Sequence, residues 1–476
     1  MKNNNRLINK IKELREENFG VSVRKLSIFN EEVFILYIPE LTDRGVLSDN
    51  IIKPILQYGK EQMLTIDKIL LSIVYLDDIF SDDDEEKIVE YILEGKSIII
   101  LLKEAKYIVA NTLKVEQRKV QTPEIETTLR GPKDAFTENL DTNLSLVRYR
   151  IKDPSLRIDK SIIGKRTKTN TAVIYIKDIA NPKYVNEVKK RIQKISVDGI
   201  LESGYVQKFL LNNTFDLFPQ AGIVERSDTA CANLLEGKIC ILVEGSSLGL
   251  IVPKTFIEFL DTGEDHYNNL YLAIFSKILT ALALCITLTV SALYIAVVSF
   301  HTDILPPQYI LSLAIARKTV PFNALIETLV MEFIAEILRE ASIRLPQQIG
   351  PAIGIVGAIV IGQAAVAAGL VSPLLVIIVS LSMMCSFVAA DYTIISSIRI
   401  LKFFLIFITG IFGLFGFVMG FTVIMINLCA QTSFGVPYSA PLAPFHFKDI
   451  INYIFSDITL AKMRPKFLHT KDKTRQ

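Results

Sequence analysis

The sequence predicts a soluble α/β region of two subdomains followed by an α-helical, multi-span membrane domain. Three observations carry this expectation. Residues 1–270 mix charge with short apolar runs, as soluble α/β proteins do. From Leu345 to Gln431, by contrast, the only charged side chains are Asp391, Arg399 and Lys402. Residues 321–373 join an acidic amphipathic stretch to a glycine- and alanine-rich apolar segment. The expected divisions are 1–120 and 121–265 for the two α/β subdomains, 266–455 for the transmembrane helices, and 456–476 for a basic cytosolic tail.

In chain order, residues 1 to about 20 read as a lysine-rich surface helix, polar throughout and without the apolar core of a secretion signal. The N-terminal region is therefore expected to stay in the cytosol. EVFILYIP reads as a strand closed by Pro39, and LSDNIIKPILQ as a helix that Ser48 or Asp49 can cap. The acidic run from Asp82 to Glu86 suits the positive end of a helix dipole better than a calcium loop, which would need a turn glycine. Leu93-Glu94-Gly95-Lys96 before SIIILL matches Leu235-Glu236-Gly237-Lys238 before ICILV, so a helix, a terminating glycine and a buried strand occur twice. Residues 112–130 read as a polar linker. Past Gly131-Pro132 an amphipathic helix is expected from near Lys133, then a β-hairpin around a basic turn, then the helix PKYVNEVKKRIQKI.

The apolar half offers four clear spans: 278–300, 349–371, 374–390 and 403–428. The first, 23 residues long, reaches about 34 Å at 1.5 Å per residue, enough to cross the hydrocarbon. QYILSLAIARK is too short for a span and reads as re-entrant or interfacial. The tail carries Lys462, Arg464, Lys466, Lys471, Lys473 and Arg475, an excess that belongs on the cytosolic side. With both ends inside, the crossings must be even: four, or six if the acidic helix and one more segment also cross.

The net charge of +2 and the lack of a long basic stripe give nucleic-acid binding no support. The five cysteines lack metal-ligand spacing and read as small buried hydrophobes. Gly245-Ser246-Ser247 lacks the lysine of a phosphate loop. The four histidines are scattered, and no nucleophile, base and acid can be assembled, so no enzyme, cofactor or metal is expected. What remains is ionisable groups beside membrane segments. Glu332, Glu336 and Glu340 recur every four residues and would stack on one helix face. Two readings stand: internal pairing of Glu336 with Arg339 and of Glu340 with Arg344, or a wet face lining a pore or vestibule in a homo-oligomeric ring. Asp391 could pair with Arg399 or mark an ion path. Gly350, Gly354, Gly357 and Gly362 would let membrane helices pack closely.

RGPKDAFTENLDTNLSLVRYRI, ESGYVQKFL, LLEGKICILVEGS, the run from Pro321 to Pro373, and PYSAPLAPFHFKD closely resemble the A subunit of the GerA-type nutrient germinant receptors of endospore-forming bacteria. The likeness covers roughly residues 125–465 and departs at VAADY, where a proline before Asp391 would fit the family. The resemblance implies two soluble α/β subdomains, a multi-span region and residence in the inner membrane of the spore. It further implies a transporter-like B subunit that binds the germinant, a lipoprotein C subunit, and release of monovalent cations on germinant binding. The expected function is a membrane subunit of that receptor, an oligomeric nutrient-gated cation channel; the alternative is a non-conducting scaffold that relays binding from the B subunit.

Overall fold

In the computed structural model, which describes residues 20–28, 31–58, 64–104, 106–114, 131–213, 216–261, 267, 269–344, 350–388, 391–455 and 462–475, the isoleucine-rich runs of the first half become two five-stranded sheets. The expected helix over residues 1–20, the linker from 115 on and the residues before Asp391 lie outside the described residues. The chain divides into two units. One holds Met1–Leu211, Ala221–Pro253 and Lys462–Gln476; the other holds Asn212–Gln220 and Lys254–Ala461.

In the first unit, sheet one is built from β1 (Ser22–Ile28), β2 (Glu31–Tyr37), β3 (Ile79–Asp82), β4 (Lys96–Leu101) and β5 (Tyr107–Asn111), in the order β1-β2-β4-β5-β3. Its strands pair antiparallel, for example Ile35↔Ile99 and Ile99↔Ile108. Alternate side chains point to opposite faces. Val33, Ile35, Ile99 and Ile108 therefore bury against Ile51, Ile55 and Ile69 of short helical turns, while Leu36, Ile98, Ile100 and Val109 bury against Ile88 and Ile92 of helix α1 (Lys87–Leu93). Two apolar faces explain why β4 reads as an unbroken apolar run.

Sheet two is built from β6 (Leu156–Ile163), β7 (Thr169–Ile176), β8 (Gly222–Val224), β9 (Ile239–Val243) and β10 (Gly249–Val252), in the order β6-β7-β9-β10-β8. The strand order is that of sheet one. The repeated Leu-Glu-Gly-Lys marks the same place in both: α1 leads into β4, and α5 (Ser227–Leu235) leads into β9. Gly95 and Gly237 take positive φ, +85° and +95°, as helix-terminating glycines do. α2 (Leu140–Arg150) starts seven residues later than expected from Lys133, because Asn139 caps it by accepting from the Thr142 N–H. α3 (Pro182–Gln193) and α4 (Ser203–Leu210) complete the unit.

Two sequence expectations gain detail here. The acidic run is divided: Asp82 ends β3 and accepts from the N–H groups of Asp83 and Asp84, while Asp84 to Glu86 lead directly into α1 and the Asp84 carboxylate accepts from the Glu86 N–H at 3.1 Å, as acids at a helix start are expected to do. The basic tail is held in the first unit, where Arg464 donates to the Leu235 carbonyl (2.8 Å) and pairs with Asp472 (2.6 Å), and Arg475 pairs with Glu236 (2.9 Å). Two of its six cations, Arg464 and Arg475, are thereby engaged in ion pairs.

The second unit is helical: α6 (Leu270–Ser299), α7 (Pro307–Arg317), α8 (Ala324–Ile343), α9 (Gly350–Ala367), α10 (Pro373–Ser386), α11 (Tyr392–Ala430) and α12 (Phe447–Phe455). Two of them, α6 and α11, are long and apolar enough to cross a membrane. α11 is not one rod. Gly413 has φ 61° and ψ −143°, a backbone conformation that glycine tolerates and other residues do not. A Cβ on Gly420 would lie 2.9 Å from Leu405, and one on Gly416 would strike the Ile408 carbonyl. Along a straight helix Ile408 and Gly416 would stand about 12 Å apart. The helix therefore folds back on itself at Gly413, and the run expected as one span at 403–428 contains a reversal sealed by glycines.

Candidate functional site

The acidic helix α8 begins at Asn323, whose side chain accepts from the Ile326 N–H, and it packs among α6, α9, α10 and α11. Its glutamates do not form one wet stripe. A four-residue repeat on a helix of 3.6 residues per turn advances about 40° per step, so the three carboxylates turn progressively out of the bundle. The side chains of Glu332, Glu336 and Glu340 are 1%, 23% and 55% exposed.

Each carboxylate meets a cation. Glu332 accepts from the Lys402 ammonium at 2.6 Å and from the Ser291 hydroxyl at 2.5 Å. Glu336 pairs with Arg399, and Glu340 with Arg344 at 3.4 Å. The last pair matches the internal pairing considered from the sequence; the other two do not. Arg339, the expected partner of Glu336, turns to the other side of α8, where it donates to Ser386 and lies over the Phe387 ring. Asp391 likewise pairs with Lys254 (3.2 Å) rather than with Arg399, and its carboxylate caps α11 by accepting from the Thr393 N–H. The physical reason is common to all. A neighbour pair on one exposed helix is worth only about 0.2–0.5 kcal/mol, whereas a charge inside an apolar bundle must find its partner there or pay several kcal/mol.

A further buried carboxylate went unnoticed in the sequence. Glu327 accepts from the Ser372 N–H at 2.5 Å and faces Arg317 at 3.4 Å, and Ser372 hydrogen-bonds the Tyr294 hydroxyl at 3.0 Å. The available signal was its place five residues before Glu332, in an otherwise apolar stretch. The glycine-rich helix lies against the acidic one. A Cβ on Gly354 would collide with the Ser342 hydroxyl, one on Gly357 would come within 3.2 Å of Leu338, and one on Gly362 within 2.8 Å of Val376 on α10. Gly350 opens α9.

The outer side of α8 presents Ile326, Val330, Phe333 and Ile337, and the fold-back pair presents Phe407, Phe412, Phe415 and Val418. Apolar exposure on this scale suits lipid or a neighbouring subunit. Of the cysteines, Cys231 and Cys240 are buried as expected, but Cys285 and Cys429 sit on exposed sides of their helices. Among the described residues no three His, Cys, Asp or Glu side chains gather as metal ligands would. In the first unit a polar cavity of about 670 Å³ is lined by Glu40, Asp43, Arg44, Glu138 and Asp141, which the chain contributes from stretches about 100 residues apart. Its volume is in the range of small-molecule sites.

A sequence model of the Bacillus/Clostridium GerA spore germination protein family matches residues 9–467. The chain is 37% identical over 461 residues to spore germination protein KA of Bacillus subtilis (strain 168), covering 96% of this chain and 85% of that protein. It is 34% identical to spore germination protein GerLA of Bacillus cereus, covering 98% and 96% of the two chains. The crystal structure of the N-terminal domain of the A subunit of the Bacillus megaterium spore germinant receptor GerK3 matches with 27% identity and a TM-score of 0.37, over 52% of this chain and 94% of that one.

Proposed function

This chain belongs to the Bacillus/Clostridium GerA spore germination protein family, and we propose that it forms the cation path of a nutrient-gated germinant receptor. It acts as the A subunit, in several copies, in the inner membrane of the spore, beside a transporter-like B subunit that binds the germinant and a lipoprotein C subunit. The N-terminal region and the tail stay on the cytosolic side. The chain crosses the membrane six times: by α6, α8, α9 and α10, and by the two arms of α11. Six is even, as a tail folded into the N-terminal unit requires.

The observation that supports conduction is the graded exposure of the carboxylates on α8 next to its exposed apolar side. In a ring of copies the apolar side packs against lipid or the next subunit, and Glu336 and Glu340 face a central aqueous vestibule, where repeated carboxylates concentrate cations. Glu332, sealed by Lys402, joins them only when that pair opens. Gly354 and Gly357 keep α9 close enough to hold α8 in place, and Gly362 lets α9 approach α10.

The test is Glu336→Gln together with Glu340→Gln in the full chain, in spores where this is the only germinant receptor. Potassium release triggered by a complete nutrient broth should fall about tenfold per copy of the protein, a loss of about 1.4 kcal/mol in the barrier's favour, with membrane abundance unchanged. Unchanged release supports the second reading, a non-conducting scaffold, which is favoured by the pairing of every acidic-helix carboxylate within a single chain. A monomeric or dimeric state of the solubilised chain would also remove the ring.

A further inference from the structure

We infer that the loop Asn212–Gln220 is the coupling element that delivers movement of the second α/β subdomain to the charge-bearing start of α11. The loop is flanked in sequence by α4 and β8, which belong to the first unit, yet the loop itself belongs to the helical unit. Its neck is closed internally: the Asn212 N–H donates to the Gln220 side chain at 3.0 Å, and that side chain donates to Asp216 at 2.6 Å. These bonds tie Asn212 and Asp216 to Gln220, so the described residues on the two sides of the loop move together.

Its outward contacts fall at both ends of α11. At the start, the Ser397 hydroxyl donates to the Leu217 carbonyl. Just beyond the end, Asn212 donates to the Thr432 carbonyl at 2.5 Å, and the Ser433 hydroxyl donates to the Gln220 carbonyl at 2.7 Å. Between them Phe218, 2% exposed, sits in a cluster with Phe256 and Tyr438, ring centroids 6.3 and 6.0 Å away. The chain's return to the helical unit at Lys254 reaches the same place. Lys254 donates its N–H to the Ser433 hydroxyl at 3.2 Å, and its ammonium holds Asp391, the cap of α11.

Two separate chain passages thus converge on the first turns of α11. Ser397 precedes Arg399 by two residues and Lys402 by five, and these two cations hold Glu336 and Glu332 of the acidic helix. A rotation or shift of α11 imposed through Leu217 and Phe218 changes both ion pairs at once. Phe218 and Ser397 are positioning residues: they touch no ion and act through Arg399 and Lys402. The inference rests on the proposed function for its readout, but it concerns the trigger and not the path.

The experiment uses the full chain with its partner subunits, in spores where it is the only germinant receptor. Ser397→Ala removes one hydroxyl, and Ser397→Thr restores it; Phe218→Ala empties the cluster, and Phe218→Leu refills most of it. Potassium release and loss of refractility are followed across dilutions of a complete nutrient broth and normalised to the amount of protein in the membrane. Both alanine variants should lower the maximal response per copy about tenfold, within the usual range of coupling energies, and the Thr and Leu variants should restore it. A normalised response within about twofold of the parent for Ser397→Ala overturns the inference, and that variant decides alone if Phe218→Ala lowers membrane abundance. Failure of the conduction reading is separable. In that case the alanine variants silence both readouts, while Glu336→Gln with Glu340→Gln leaves potassium release unchanged.

Discussion

Replacing Lys402 with Met strands the Glu332 carboxylate inside the helical bundle. The two groups stand 2.6 Å apart, with side chains 3% and 1% exposed. At that distance and an effective dielectric of about 20, their attraction is about 6 kcal/mol. Withdrawing both charges from water costs several kcal/mol each, so the intact pair contributes little net stability. Removing one partner is different, because the other charge remains buried with, among the described residues, only the Ser291 hydroxyl at 2.5 Å to receive it. The expected cost is about 3–5 kcal/mol, or roughly 10 °C in the thermal midpoint of a helical unit of this size. Lys402→Met with Glu332→Gln should recover all but about 1 kcal/mol, since neither charge then remains. The assay is thermal unfolding of the detergent-solubilised full chain, followed by far-ultraviolet circular dichroism, for both single variants and the double. A shift below roughly 2 °C for Lys402→Met, or single effects that add to the double within about 0.5 kcal/mol, would refute the reasoning that these charges are coupled in a dry site.

Two more outcomes follow from the same coordinates. Gly413→Ala places a Cβ 2.8 Å from the Phe300 ring at φ 61°, so it should destabilise the helical unit by about 1–3 kcal/mol from backbone strain alone; adding Phe300→Ala should relieve the ring contact but not the strain, and full recovery in the same melting assay would contradict the reversal. Burial pushes the Cys231 thiol up to about 12. At pH 8 its thiolate fraction is therefore roughly 10⁻⁴, and maleimide should label Cys231 only after unfolding. Because the folded state holds this proton more tightly, the thiol's contribution to stability is intact below the unfolded value of about 8.5 and is lost as pH rises toward 12. Labelling of native Cys231 at pH 8 as fast as in the unfolded chain would contradict the buried site.

Much of the α/β half was readable because strands buried on both faces and glycine-terminated helices leave local marks. KSIIIL and ICILV announce central strands, and Gly95 and Gly237 announce the helix ends before them. The start of α2 was misplaced because its cap, Asn139, lies inside a polar stretch that offers several alternatives. The acidic run marked the start of α1, but that its first member, Asp82, ends a strand is decided by the pairing of β3 with β5. In the helical half, apolar length marked four candidate spans, of which the helices α6 and α11 are long and apolar enough to cross a membrane, but length cannot reveal a reversal. Gly410, Gly413, Gly416 and Gly420 read equally well as a packing face, and the positive φ at Gly413 is what separates the two.

By itself the sequence determined composition, family resemblance, the two α/β repeats and the placing of three carboxylates at four-residue spacing on an apolar helix. These are properties of neighbours along the chain, which backbone periodicity converts directly into faces and ends. The tertiary structure alone decided which cations Glu332, Glu336 and Asp391 meet. Lys402 lies 70 residues from Glu332, Lys254 lies 137 from Asp391, and Ser397 lies 180 from Leu217. A buried charge takes whichever opposite charge the packing brings within reach, and the strength of that demand in a medium of low dielectric does not depend on distance along the chain.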